Sequence, residues 1–317
     1  MSQVAGSSSQ HQSALLQRLW IYQGERFPVF VHLPLITAFS FSAIGYSRLG
    51  RGVDDFISWK HFAACVLTNA VVFFILRVSD EHKDANEDAA FRNYLPVPRG
   101  LVTLRELRWL ALALFAIVSV LNLLFFSDLL LIYGALSIYL VLMRYEFFAA
   151  AWLKKRQLWY VLSHMLIIPL ADVYASSYDW KLHHVSPPTG LLFFFGVSYL
   201  NGIVLEIGRK IRVPETEEEG VVSYTKLLGI KGAPALWITV LLCNFTLAVL
   251  AASYAGFPFY TYYIFIVLVI VTSVPAVLFF LNPNPKIAKS IELVSLVWAL
   301  GMYLTLGGIP TIFKLLT

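Results

Sequence analysis

Long apolar runs separated by short polar segments fill almost the whole chain. A helix needs about 20 apolar residues to cross a bilayer core. Runs of that length lie near 29–47, 59–79, 106–126, 128–145, 158–176, 189–208, 233–255, 259–281 and 290–309. The pattern predicts an all-α membrane protein with nine transmembrane helices. Pro34, Pro169 and Pro275 fall inside runs, which a membrane helix tolerates when neighbouring groups satisfy the freed backbone. Residues 1–28 are polar and open on the Ser/Gln-rich stretch MSQVAGSSSQHQS. They predict a disordered tail and then a short interfacial helix around Leu15 to Tyr22. No basic segment precedes a short apolar core with a cleavage site, so no signal peptide is expected. Residues 29–317 then form a single nine-helix domain.

Composition strengthens this reading. The chain is 58% hydrophobic and only 14% charged, whereas soluble domains carry about a quarter charged residues. Cys65 and Cys243 both sit in apolar runs; they read as small core residues, with no disulfide framework and no metal-binding CxxC. The expected partners are the lipid bilayer and a small substrate, with no nucleic acid.

Charge gives the expected orientation. With the N-terminus in the cytoplasm, 19 Lys and Arg fall on inside segments and 5 on outside ones, the asymmetry of the positive-inside rule. Acidic residues also cluster on the inside. RVSDEHKDANED, residues 77–88, carries Asp80, Glu81, Asp84, Glu87 and Asp88. EIGRKIRVPETEEEG, residues 206–220, carries Glu206, Glu215, Glu217, Glu218 and Glu219. Each cluster follows an out-to-in helix, the second and the sixth. The offset of four helices hints at an old duplication.

Asp80, Asp84 and Asp88 have the spacing i, i+4, i+8. On one helix they drift by only about 40° per step and stack roughly 6 Å apart. Three aspartates on one face repel and disfavour a helix, so the stripe either stays solvated as a mixed-charge helix end or binds cations. Hard oxygen ligands suit Mg²⁺, which keeps waters and is shared with substrate phosphates. Basic residues interleave with both clusters: Arg77 and Lys83 in the first, Arg209, Lys210 and Arg212 in the second. Carboxylates for a metal beside Arg and Lys for phosphate oxygens make a metal–diphosphate site. The aromatic residues of nine helices supply walls for an apolar chamber beneath such a mouth. A substrate with a diphosphate head and a hydrocarbon tail matches both ends.

These segments resemble the UbiA-type intramembrane prenyltransferase superfamily over about residues 15–310. Its members have nine transmembrane helices in a bundle around a central cavity, with Asp-rich motifs after the second and sixth. DEHKD matches the two later aspartates of the family's NDxxDxxxD, which places Asp80 and Asp84 in those roles. LPVPRGLVTLREL resembles the RPLPSG-type stretch before helix three. YLVLMR resembles the family's Tyr-x-x-x-Lys-Arg, giving Tyr139 and Arg144, with Met143 at the Lys position. LEIGRKIRVPETEEEGVVSYTKLLG ends like the family's second motif. Leu76 and Arg77 stand where the family has Asn and Asp, Glu206 where it has Asp, and Arg209 and Lys210 where further acids are usual. Metal binding then leans on the first motif, and the second contacts diphosphate more directly.

The resemblance implies a Mg²⁺-dependent enzyme that ionises an isoprenyl diphosphate and passes the prenyl group to an unidentified acceptor. The metal set is Asp80, Asp84, Asp88 and Glu206; the substrate-binding set is Arg77, Lys83, Arg144, Arg209, Lys210 and Asn201; Tyr139 joins Asp80, Asp84 and Glu206 as catalytic. A terpene cyclase, in which the chain's own double bond captures the cation, is the alternative. A transporter or lipid-binding protein using the acidic mouth is the other. The expected location is a bacterial inner membrane, with the active site facing the cytoplasm.

Several other residues have two readings. His164 is a hydrogen-bonded packing residue or a proton acceptor in a cyclising reaction; His82 lies inside the first motif. Asp172 and Asn201 are costly in an apolar span. Asp172 is expected near the outer end of its helix, and Asn201 is expected to point into the chamber. Glu146 reads as a local ion pair with Arg144, or as an acceptor contact or base. The run Glu217–Glu219 reads as solvated, with Glu215 and Glu217 nearer the basic segment.

Overall fold

The computed structural model describes residues 14–217 and 222–317. Among the described residues, nine helices are long and apolar enough to cross a bilayer: α1 Val29–Gly50, α2 Trp59–Lys83, α3 Leu104–Phe125, α4 Ser127–Arg144, α5 Gln157–Trp180, α6 Gly190–Gly208, α7 Tyr224–Tyr254, α8 Tyr260–Leu281 and α9 Pro285–Leu316. Polar residues start several of them by satisfying free backbone N–H groups. The Ser58 side chain accepts from the His61 N–H at the start of α2. Thr103 and Glu106 form a capping box on α3. Asn284, followed by Pro285, opens α9.

The predicted spans and the observed helices differ mainly at their ends. α2 continues past residue 79 to Lys83 and so carries Asp80 beyond the apolar run. α7 begins at Tyr224 rather than near 233, because Ser223 caps it there and a break at Gly229, φ 79°, joins its polar first turn to the apolar remainder. A positive φ of this kind is natural only for glycine.

α5 packs against α1, α2, α4 and α6; α6 packs along α7 and α9; α8 closes against α7 and α9. Lipid tails are as apolar as the side chains, so close packing and interhelical hydrogen bonds hold such a bundle. The buried Trp237 indole N–H of α7 faces the Val204 carbonyl of α6 at 3.1 Å and the Ser295 hydroxyl of α9 at 3.0 Å. α9 contains a π-helical turn over Leu304–Gly308, and there Gly307 lies against the backbone of α1. A Cβ on Gly307 would fall 2.0 Å from the Ser42 carbonyl oxygen. Gly307→Ala must therefore separate two backbones. It is expected to cost about 1–3 kcal/mol or more, read as a lowered Tm in detergent; an unchanged Tm would show that α1 and α9 slide freely.

The two ends of the bundle differ. At one end Asp179 of α5 is fully buried. Its carboxylate accepts from Arg48 at 2.9 Å, Arg51 Nε at 2.9 Å and Ser47 at 2.7 Å, all from the end of α1. The other end carries both acidic segments. A helix over Leu15–Arg26 lies beside it, longer than expected at its C-terminal end. Its Arg18 pairs with Glu106 at 2.7 Å and its Arg26 with Glu81 at 2.6 Å. Leu16, Trp20 and Ile21 of this helix stay exposed, as an interfacial helix requires.

Candidate active site

The first acidic segment is not a continuous helical stripe. α2 stops at Lys83, Asp84 has φ −90° and ψ 1°, and a new short helix runs over Ala85–Phe91. Three aspartates at i, i+4, i+8 destabilise a helix, and the chain breaks at the middle one. The break sends the three side chains to different surroundings. Asp80 is 43% exposed and meets Lys83 at 3.3 Å. Asp88 is buried and pairs with Arg92 at 2.9 Å. Asp84 has no ion pair among the described residues. Burial, Asp80 and Asp88 together push its carboxyl above the usual carboxylate range, against the opposing pull of Lys83 and Arg77.

Glu81 belongs to a different group. It is buried and turned toward the interfacial helix, held by Arg26 at 2.6 Å and Arg77 at 3.1 Å. Arg77 is thus placed on a structural carboxylate beside the aspartates. Glu87 is exposed and pairs with Lys154 at 2.6 Å. The ring of His82 faces its own helix through the Val78 carbonyl at 2.8 Å, and Arg144, half-buried, lies within electrostatic reach of it.

In the second segment Glu206 is buried at the end of α6. One oxygen meets Lys210 at 2.7 Å and the other meets Arg209. The trio carries one net positive charge. Burial would lower the Arg209 pKa, but Glu206, and beyond it Asp80 and Tyr160, raise it. The two segments therefore share one electrostatic environment, basic on the α6 side and acidic on the α2 side. Glu217 is not solvated: it meets the hydroxyls of Ser223 and Thr225, and Lys226 at 3.5 Å, so it ties the loop to the start of α7. Glu215 is exposed. Glu218 and Glu219 lie outside the described residues.

A further residue, Glu146, has two readings from the sequence, a local ion pair with Arg144 or an acceptor contact or base. Glu146 does not bond Arg144. Its Oε1 meets Lys83 at 3.1 Å and its Oε2 lies 3.1 Å from His164 Nε2. Burial alone would raise the Glu146 carboxyl; His164 and Lys83 outweigh it and hold it below the usual range. The backbone that aims Glu146 is strained: Glu146, Phe147 and Phe148 have φ of 50°, 53° and 57°. Left-handed backbone costs a non-glycine residue roughly 1–2 kcal/mol, and such strain persists only where surrounding contacts impose it. Those contacts are the two pairs of Glu146, the Phe147 ring edge-on to His164 and Tyr139, and the Phe148 ring stacked on Tyr145.

Tyr139 joins this layer rather than the aspartates, its hydroxyl bonded to the Ser163 carbonyl. Tyr199 does the same from α6, bonding Leu162 at 2.9 Å. Tyr160 stacks on His164 with ring centroids 3.9 Å apart, and Lys83 sits 5.9 Å over its face. Tyr139, Tyr160, Tyr199 and Phe147 are all half-buried, an aromatic lining beneath the charged end. Deeper in the bundle, Asn201 accepts from Asn244 at 2.8 Å instead of reaching the charged end. Asp172 is fully buried and accepts from Tyr303 at 2.9 Å; α5 continues eight residues beyond it, so Asp172 is not at the helix end.

Among the described residues, no group of three or more His, Cys, Asp or Glu is gathered closely enough to hold a metal ion by itself. Two carboxylates that rely on substrate phosphates and water for the remaining ligands are the usual arrangement for Mg²⁺, and Asp80 with Asp84 fits it. Asp84 supplies a hard oxygen donor with no cation paired to it, in a field that a cation would relieve.

Comparison with known proteins agrees with this architecture. No curated protein matches the chain by sequence. A solved structure of digeranylgeranylglyceryl phosphate synthase superposes with a TM-score of 0.64 at 18% identity, covering 93% of this chain and 99% of that one. A UbiA homologue from Aeropyrum pernix K1 superposes with a TM-score of 0.61 at 16% identity, covering 84% of this chain and 95% of that one. At these identities the likeness establishes the fold. The sequence profile of the UbiA prenyltransferase family matches residues 28–306, which is most of the chain, and the chain belongs to that family.

Proposed function

We propose that this protein binds an isoprenyl diphosphate at the acidic end of the bundle, with the cytoplasm on that side, and transfers its prenyl group to an acceptor. One arrangement carries the reading: Lys83 of the first segment meets Asp80 at 3.3 Å and Glu146 at 3.1 Å and sits 5.9 Å over the Tyr160 ring, so carboxylates and a cation meet where the aromatic-lined interior begins. A diphosphate needs both kinds of group, and a prenyl tail needs the interior.

Asp80 and Asp84 would hold Mg²⁺, which when bound supplies Lewis-acid stabilisation of the charge building on the diphosphate oxygens. Arg209 and Lys210 take the phosphate oxygens from the opposite side, as charge-assisted donors already in place before the charge develops. Both oxygens of Glu206 are committed to these two cations. Its role is therefore to orient them, rather than to join the metal set assigned from sequence. Lys83, fixed between Asp80 and Glu146, sets the spacing between diphosphate and interior. The faces of Tyr160 and its aromatic neighbours offer negative potential to an allylic cation. Asp88, paired with Arg92, supports the segment from behind.

The test is diphosphate release by the purified protein in detergent with C10, C15 or C20 prenyl diphosphates. Release should require Mg²⁺ and stop on chelation. Release without divalent metal, or none with any chain length or acceptor, would refute the reading. A discrete cyclic hydrocarbon formed with no acceptor would assign the same ionisation to a terpene cyclase.

A further inference from the structure

Ionisation accounts for Asp80, Asp84 and the cations. It leaves Glu146 and His164 without a role, although a strained turn holds one and the other is buried inside the bundle. Nδ1 of His164 faces the Tyr160 carbonyl at 2.8 Å. A carbonyl only accepts, so Nδ1 carries a proton and donates it. In the neutral ring Nε2 is then a lone pair. That lone pair points at Glu146 Oε2, 3.1 Å away, and neither atom has another hydrogen-bond partner among the described residues. Two acceptors face each other across a gap of hydrogen-bond length. Adding one proton turns their repulsion into a charge-assisted hydrogen bond.

We propose that Glu146 and His164 together are the general base of the reaction, receiving the proton released when the prenyl cation is captured. This rests on the prenyl-transfer reading but applies to either ending. In transfer, an acceptor atom gives its electron pair to prenyl C1, the C1–O bond breaks, and diphosphate leaves with that bond's pair. In cyclisation, the chain's own double bond supplies the pair. Each ending expels one proton, from the acceptor or from the cyclised cation. Glu146, with 17% of its side chain exposed against 4% for His164, is the member that meets the donor. The proton comes to rest between Oε2 and Nε2, and passes to water when product leaves.

Position supports the assignment. Lys83 touches Asp80 on one side and Glu146 on the other, so the pair lies one side chain inward from the diphosphate end, where C1 must sit. Neither Glu146 nor His164 touches Asp80 or Asp84. The titratable groups in contact with the pair are Lys83 from α2 and Tyr160 from the same helix as His164; Tyr139 of α4 and Tyr199 of α6 bond the neighbouring Ser163 and Leu162 carbonyls. Of these only Lys83 carries charge near neutrality. Its contact lowers the proton affinity of Oε1 while Oε2 stays available.

The experiment supplies a labelled C20 prenyl diphosphate and Mg²⁺ to the full-length protein in vesicles of a total bacterial lipid extract. It measures diphosphate release and the partition of the prenyl carbon between transferred or cyclised product and free prenyl alcohol. Wild type should favour the transferred or cyclised product. In Glu146→Gln and His164→Asn that partition should swing toward the alcohol by about 100-fold, within the usual contribution of general-base catalysis. Glu146→Asp, which keeps the carboxylate, should recover much of the partition. An unchanged partition in both variants overturns the proposal. So does release and product falling together at constant partition without rescue by Glu146→Asp, which would mark a structural role. Wild type yielding only prenyl alcohol also overturns it. Absence of any diphosphate release by wild type overturns the functional reading beneath it.

Discussion

Asp84→Ala is expected to lower Mg²⁺-dependent diphosphate release by about 100- to 1,000-fold, the range for losing one preorganised electrostatic contact to a developing charge. Asp84 is chosen because its neighbours already have partners: Asp80 meets Lys83 and Asp88 meets Arg92. Removing Asp88 should matter less to the chemistry and more to the packing of the short helix over Ala85–Phe91. Asp84→Ala should also raise the stability of the metal-free protein slightly, because it removes a carboxylate that burial and its neighbours disfavour as an ion. Lower activity with equal or higher Tm is the signature of a residue that serves substrate rather than fold. Wild-type turnover in Asp84→Ala would remove the first segment from the mechanism.

The second large effect belongs to the opposite end. Asp179→Ala is expected to destabilise the protein by about 3–5 kcal/mol, the cost of breaking a buried ion pair by removing one partner. It leaves Arg48, which is only 6% exposed, with Asp55 as its remaining carboxylate, and frees Arg51 and Ser47 together. Arg51→Ala should cost less, because Asp179 keeps Arg48 and Arg51 itself is nearer water. The check is thermal unfolding of both variants in the same detergent. Equal Tm shifts would show that the three side chains do not act as one unit.

The nine spans were legible because a bilayer imposes its length on the sequence. Helix ends were less so: hydropathy stops α2 at residue 79 and starts α7 at 233, because it does not register that polar turns continue a helix into water. Asp80 and Asp84 were placed by spacing and resemblance, but not the break between them, since the repulsion that makes the stripe conspicuous is also what ends the helix. Arg77 looked like a phosphate ligand because only its nearness to the aspartates was weighed, whereas its guanidinium is held by Glu81 one helical turn on. Glu146 was misplaced for a different reason. No Gly or Asn marks residues 146–148 as left-handed, so a linear reading pairs Glu146 with adjacent Arg144, whereas the turn sends it across to α2 and α5. Asp179 went unnoticed because its arginines lie 128 and 131 residues away. Long-range charge pairing leaves no periodic trace.

The interfacial helix over Leu15–Arg26 has one more consequence. Its exposed Leu16, Trp20 and Ile21 face outward while Arg26 grips Glu81, the residue next to Asp80. A helix lying in the headgroup layer is squeezed by its lipid neighbours, and that lateral pressure changes with chain saturation and headgroup size. The Arg26–Glu81 contact joins that helix to the end of α2, a path by which tilt of the one would load the other. Lipid composition then belongs among the conditions to be held fixed when variants of this protein are compared.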